Sequence, residues 1–167
     1  MASSTVVSKD IPSKTAAWVT GFIMNCGGGG VIPSNMDREG VETDLIRSLV
    51  KVQHIDRGRV SCILTVKPYA CNAYNTFHGG VVGSIAEIVG IACARTVVSK
   101  DKELFLGELS VSCLAAIKIH EEVIVDASVV RSGRNLTVVT IEFKQKDSER
   151  VSYLCRATLY NMPVASL

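Results

Sequence analysis

The chain has 167 residues, 47% of them apolar and 5% aromatic, and 18 Lys and Arg against 16 Asp and Glu give a net charge of +2. That length suits one domain with a core of Val, Ile, Leu and Ala, and argues against two. The near-even charge balance, with scattered basic residues and no interleaved aromatics, argues against nucleic acid as a partner.

Residues 1–36 read as an N-terminal extension ahead of a domain over 37–167. The first 14 residues are Ser/Thr-rich and predict a loosely attached start. No basic stretch followed by an apolar one marks a secretory signal, and Asp10 with no arginine argues against a transit peptide. Residues 15–25 predict a short amphipathic helix carrying Trp18. The run Cys26-Gly27-Gly28-Gly29-Gly30 predicts a flexible joint, since no Lys-Ser/Thr follows as a phosphate loop requires. From Asp37 to Val50, helical spacing appears at Val41, Leu45, Ile46, Leu49 and Val50.

At Gln53 the period changes to two. Residues 54–66 predict one long strand, or a hairpin turning at Arg57-Gly58, and Pro68 ends it. Residues 79–98 predict a long helix that is apolar nearly all round and must be covered on all sides. It is long enough to cross a bilayer. Glu87 at its centre, Arg95, and Gly79, Gly80, Gly83 and Gly90 instead argue for a buried helix and no membrane span. Four strands follow, at 104–118, 122–131, 135–145 and 151–160. Short polar links at 119–121, 132–134 and 146–150 predict an antiparallel meander. The fold class is therefore α+β, a sheet curling around one helix. One small sheet covers only part of such a helix, so a second copy is expected to cover the rest in an isologous dimer.

Six cysteines, at 26, 62, 71, 93, 113 and 155, form no C-x-x-C pair and have no His-rich neighbourhood. They predict no metal site, reduced thiols and an intracellular, cytoplasmic protein. The tail Ala165-Ser166-Leu167 is similar to a peroxisomal tripeptide but lacks its middle basic residue.

The chemistry concentrates at the start of the long helix. Glu87 is the only charge between His78 and Arg95. A solitary carboxylate in an apolar segment is costly unless it is hydrogen-bonded or functional. Gly79 and Gly80, at the mouth of the helix, are expected to leave backbone N–H groups open and unshielded, a cradle for a developing oxyanion. A half-desolvated Glu87 is also a stronger base near neutral pH. Each group has a plainer reading. Glu87 pairs with Arg95, the glycines permit close packing, His78 is a half-buried structural histidine, and Asn72 and Asn75 shape a turn. Cys71 lies beside Asn72, but no base is evident to make it a nucleophile. His54 and His120 read as surface residues.

Asn72 with His78-Gly79-Gly80, and Glu87 inside the following helix, resembles the hotdog-fold acyl-CoA thioesterases, in particular the phenylacetyl-CoA-type and thioesterase-superfamily-member-2-like enzymes. The likeness covers roughly residues 40–162. It implies a five- or six-stranded antiparallel sheet wrapped around one central helix. It also implies dimers joined edge to edge, dimers of dimers, and active sites with residues from both chains. By that resemblance Glu87 is the catalytic acid, as base or as nucleophile. Gly79 supplies the N–H that polarises the thioester carbonyl, and His78 and Asn72 orient the carbonyl and the water. Gly80 and Ser84 line the substrate, and Lys118, Arg131, Gly133 and Arg134 meet the coenzyme A phosphates. No cofactor is implied, because coenzyme A is part of the substrate. Two departures stand out. Glutamate replaces the usual aspartate, and Leu106 or Gly107 falls where those enzymes carry a water-positioning serine, with Ser110 and Ser112 further on. The competing functions are a hotdog-type hydratase or dehydratase and a non-catalytic acyl-CoA-binding protein.

Overall fold

The computed structural model describes residues 7–25 and 34–163. The glycine run at 26–30 and the tail at 165–167 lie outside them. Two units result, one up to Val41 and one from Glu42 onward. In the first, helix α1 (Ser13–Asn25) stacks Trp18 on Phe22 at 5.4 Å, and both rings stay exposed. Among the described residues, no helix is long and apolar enough to cross a membrane.

The second unit is one antiparallel sheet and the helices set against it. Helix α2 (Val41–Leu49) turns Ile46 and Leu49 into the core. Strands β1 (Lys51–Asp56) and β2 (Arg59–Thr65) form a hairpin, not one long strand. The turn needs a left-handed residue, and Gly58 supplies it at φ +80°. Thr96 Oγ1 accepts from Gly58 N–H at 2.8 Å, which ties the hairpin to the end of the central helix.

That helix, α3 (Gly79–Arg95), lays Val82, Ile85, Ala86, Val89, Gly90, Cys93 and Ala94 on the sheet. Burying each of its large aliphatic side chains contributes about 1.5–3 kcal/mol. Gly90 lets the helix approach closely, since a Cβ there would sit 3.4 Å from Ile141 and 3.5 Å from Ala157. At one end of the core, Phe77, Phe143 and Tyr153 meet edge to face, with centroids 6.0–6.4 Å apart.

Strands β3 (Lys102–Cys113), β4 (Glu122–Ser132), β5 (Leu136–Gln145) and β6 (Val151–Pro163) complete the order β1-β2-β4-β5-β6-β3. The expected meander holds for β4-β5-β6. It fails for β3, which pairs with β6 at the far edge of the sheet and not with β4. The 104–118 strand also overran, because β3 stops at Cys113. Residues 114–121 cross back beneath the loop before α3. There, Ile117 O accepts from Phe77 N–H at 2.8 Å, and Val66 O accepts from His120 N–H at 2.9 Å. The polar link at 119–121 is therefore not a strand-to-strand turn but the tail of a crossover with backbone partners of its own.

Candidate active site

The loop before α3 is built around one side chain. Asn72 Oδ1 accepts from Tyr74 N–H at 2.9 Å, Thr76 N–H at 3.2 Å and Thr76 Oγ1 at 3.0 Å. Asn72 is thus a turn former, as the plainer reading held. Those three donors also fix the amide plane, and only Nδ2, a donor, remains for a substrate oxygen.

His78 is the N-cap of α3. Its Nδ1 accepts from Gly80 N–H at 2.9 Å, with backbone φ −70° and ψ 126°. The expectation of two open amides is therefore corrected: Gly80 N–H is taken. Gly79 N–H has no hydrogen-bond partner among the described residues, and no atom lies within 4 Å of the place a Cβ would occupy. One bare donor thus stands at the positive end of a 17-residue helix dipole. With Nδ1 accepting, the ring proton sits on Nε2, so neutral His78 has no free lone pair with which to act as a base.

Glu87 is half-buried on the same helix. The alternative pairing with Arg95 is not made. Arg95 donates instead to Ser99 O at 2.9 Å and Lys102 O at 2.7 Å. Among the described residues Glu87 has no ion pair and no side-chain hydrogen bond. Its neighbour Ile88 is 46% exposed. A single chain therefore covers one side of the helix and leaves the acid's side uncovered.

Two cavities flank the helix start. One, of about 360 Å³, is bounded by Asn72, Thr76, Phe77, Gly79, Cys113 and Tyr153, together with residues 114–116 of the crossover. The other, of about 220 Å³, lies between α2 and α3. Lys118 is on the Asn72 side, bridged to Thr76. Arg131 lies near the end of β4, Gly133 and Arg134 form the β4–β5 turn, and Gly133 borders a recess with Val97 and Val98 beyond the other end of α3. Seventeen residues at 1.5 Å each span about 25 Å, so the basic residues divide between opposite ends of the helix.

The strand beside the helix supplies no hydroxyl. Leu109 faces α3, 3.9 Å from where a Gly83 Cβ would be. Strand alternation therefore turns Ser110, paired with Arg156, and Ser112, paired with Leu154, to the opposite face of the sheet. Gly107 is held under the Tyr160 ring, with no room for a Cβ.

Tyr153 and the crossover residues were not foreseen, because only the β3–β6 register brings them to Gly79. Burial pushes the Tyr153 phenol up, and its hydroxyl donates to Phe77 O at 3.3 Å. Desolvation likewise pushes the Cys71 thiol up, and it donates to Lys67 O at 3.3 Å, which does not suit a thiolate nucleophile. Among the described residues, no group of three or more His, Cys, Asp or Glu side chains is placed to hold a metal ion.

Comparison with known proteins agrees with this geometry. The sequence profile of the thioesterase superfamily matches residues 74–152. A Caenorhabditis elegans protein whose name makes it provisionally an esterase is 28% identical over 109 residues, 65% of this chain and 64% of that protein's length. Zebra fish thioesterase superfamily member 2 superposes with a TM-score of 0.68 at 20% identity, covering 91% of this chain and 99% of the other. A Haemophilus influenzae thioesterase gives 0.65 at 17% identity, covering 70% and 80%. A Streptococcus pneumoniae hypothetical thioesterase protein, solved with coenzyme A, gives 0.63 at 16% identity, covering 70% and 91%. The chain thus has the hotdog fold of these structures, and the thioesterase-superfamily profile matches its central helix and the strands after it.

Proposed function

We propose that the protein hydrolyses acyl-CoA thioesters at sites completed by two copies of the chain. The observation that carries this reading is the pairing, on one helix, of a bare Gly79 amide with an unpartnered, half-buried Glu87. Both parts of an acyl-transfer site are present, but not within reach of each other. Eight residues of helix separate them by about 12 Å along the axis, several times the roughly 3 Å contact that catalysis needs.

A second copy removes that gap. Strand β3 is an edge strand of 12 residues, and its free side is a template for another strand. The open flank of α3 at Gly83 lies beside Leu109 of that strand. Two copies joined β3 to β3 bring their central helices side by side and antiparallel. With Gly83 at the midpoint, Gly79 of each helix faces Glu87 of the other. Exposed Phe105 and Tyr160, paired on the opposite sheet face, offer an apolar surface for two such dimers to associate.

The reaction follows from the parts. The thioester oxygen sits on Gly79 N–H, with Asn72 Nδ2 as a further donor. Glu87 of the other copy takes a proton from water, whose oxygen adds to the carbonyl carbon. The amide and the helix dipole hold the oxyanion. Collapse breaks the carbon–sulfur bond, and the thiolate leaves with the proton from Glu87. Coenzyme A as the carrier draws support from its presence in the Streptococcus structure, and Lys118, Arg131 and Arg134 are the cations offered to its phosphates.

Two alternatives predict different readouts. A hydratase needs a His base, and Nδ1 of His78 is engaged as the helix cap. Purified protein assayed on a panel of acyl-CoA esters is expected to release free thiol. A change in enoyl-thioester absorbance without thiol would make it a hydratase. Tight binding without thiol release would make it a carrier.

A further inference from the structure

The turn at 78–80 is shared by both cavities, and this gives the thioester an orientation. The carbon bonded to the polarised oxygen carries two arms. One is the pantetheine thiol, rich in amides; the other is the acyl group, which has no hydrogen-bonding requirement along an unsubstituted chain. The cavity on the Asn72 side offers hydrogen-bonding groups, namely the Asn72 amide, the Thr76 hydroxyl and the backbone of residues 114–116. The groove on the other side is walled by Leu45 and Ile46 of α2 and by Val81 of α3, with His78 and Gly80 at its mouth. Amides buried there would go unpaired, whereas methylenes lose water without loss of a partner.

We propose, resting on the hydrolase reading above, that the groove between α2 and α3 receives the acyl group and that α2 sets its length. The groove has a definite end. Ser84 Oγ donates to Glu42 Oε1 at 2.6 Å, a polar bridge from α3 to α2 a full helical turn beyond Gly80. An apolar chain growing from Gly79 runs along Leu45 and stops at that bridge, where further burial would desolvate a carboxylate. At about 220 Å³ the groove exceeds the roughly 150 Å³ that holds benzene, which scales to an acyl group of about six to nine carbons. Leu45, half-buried on the groove wall, is the length-determining residue.

The test is kcat/KM for acetyl-, hexanoyl- and dodecanoyl-CoA with the full chain and with Leu45→Trp and Leu45→Ala. Leu45→Trp is expected to lower the hexanoyl-to-acetyl ratio by about tenfold or more, and Leu45→Ala to raise the dodecanoyl-to-hexanoyl ratio. Damage to the fold cannot produce opposite shifts. Ratios within roughly twofold of wild type for both variants would overturn the groove assignment while leaving the hydrolase reading standing. If the wild type turns over none of these esters, the hydrolase reading falls. Binding of a non-hydrolysable hexanoyl thioether of coenzyme A then decides the groove. Weakening by about tenfold in Leu45→Trp supports it, and unchanged binding refutes it.

Discussion

Glu87→Gln is expected to lower thioester turnover by about 100-fold or more, the scale of a lost general base, while the protein stays folded. The substitution keeps the shape and removes only the proton acceptor. It breaks no ion pair or side-chain hydrogen bond among the described residues, and Arg95 is committed to Ser99 and Lys102. Thermal unfolding beside free-thiol kinetics separates the two effects. The unfolding midpoint is expected to stay put while the rate collapses. A variant that retains turnover would remove Glu87 from the chemistry.

Gly79→Pro deletes the other half of the site with little structural disturbance. Gly79 is the first residue of α3, the one helical position where proline is well accommodated. His78 already holds the extended conformation that a following proline demands, at φ −70° and ψ 126°. The lost N–H has no partner among the described residues, and the space for a Cβ is open. What disappears is the oxyanion donor, so kcat is expected to fall by about 10²–10³-fold. Gly79→Ala keeps the N–H and should lose far less. Comparable losses in both would point to crowding and not to a missing donor.

The central helix was legible in the sequence because its signal is local: the apolar run from Gly79 and the lone Glu87 lie within ten residues of one another. The β4-β5-β6 meander was legible for the same reason. The place of β3 was not, since its partner β6 is chosen by sheet register across the whole domain. Residues 114–121 carry the pattern of a strand end and a polar turn, which hides the crossover that walls the cavity beside Gly79. The pairing of Gly80 N–H with His78 was within reach. A ring nitrogen two residues before an open helix amide is a capping group, a role that neither the substrate-orienting nor the half-buried structural reading of His78 includes. The groove under α2 was beyond reach, since Leu45, Val81 and Ser84 meet only in three dimensions.

In the proposed reaction, whatever the acyl group, hydrolysis depends on an amide and an acid that one helix holds too far apart to cooperate. Mixing the two inactive variants measures this directly. When Glu87→Gln and Gly79→Pro chains are unfolded and refolded together, half of the dimers are hybrids. Each hybrid contains one site with both Gly79 and Glu87 intact, so activity should return to about a quarter of wild type. A mixture as inactive as its two parents would contradict the shared site.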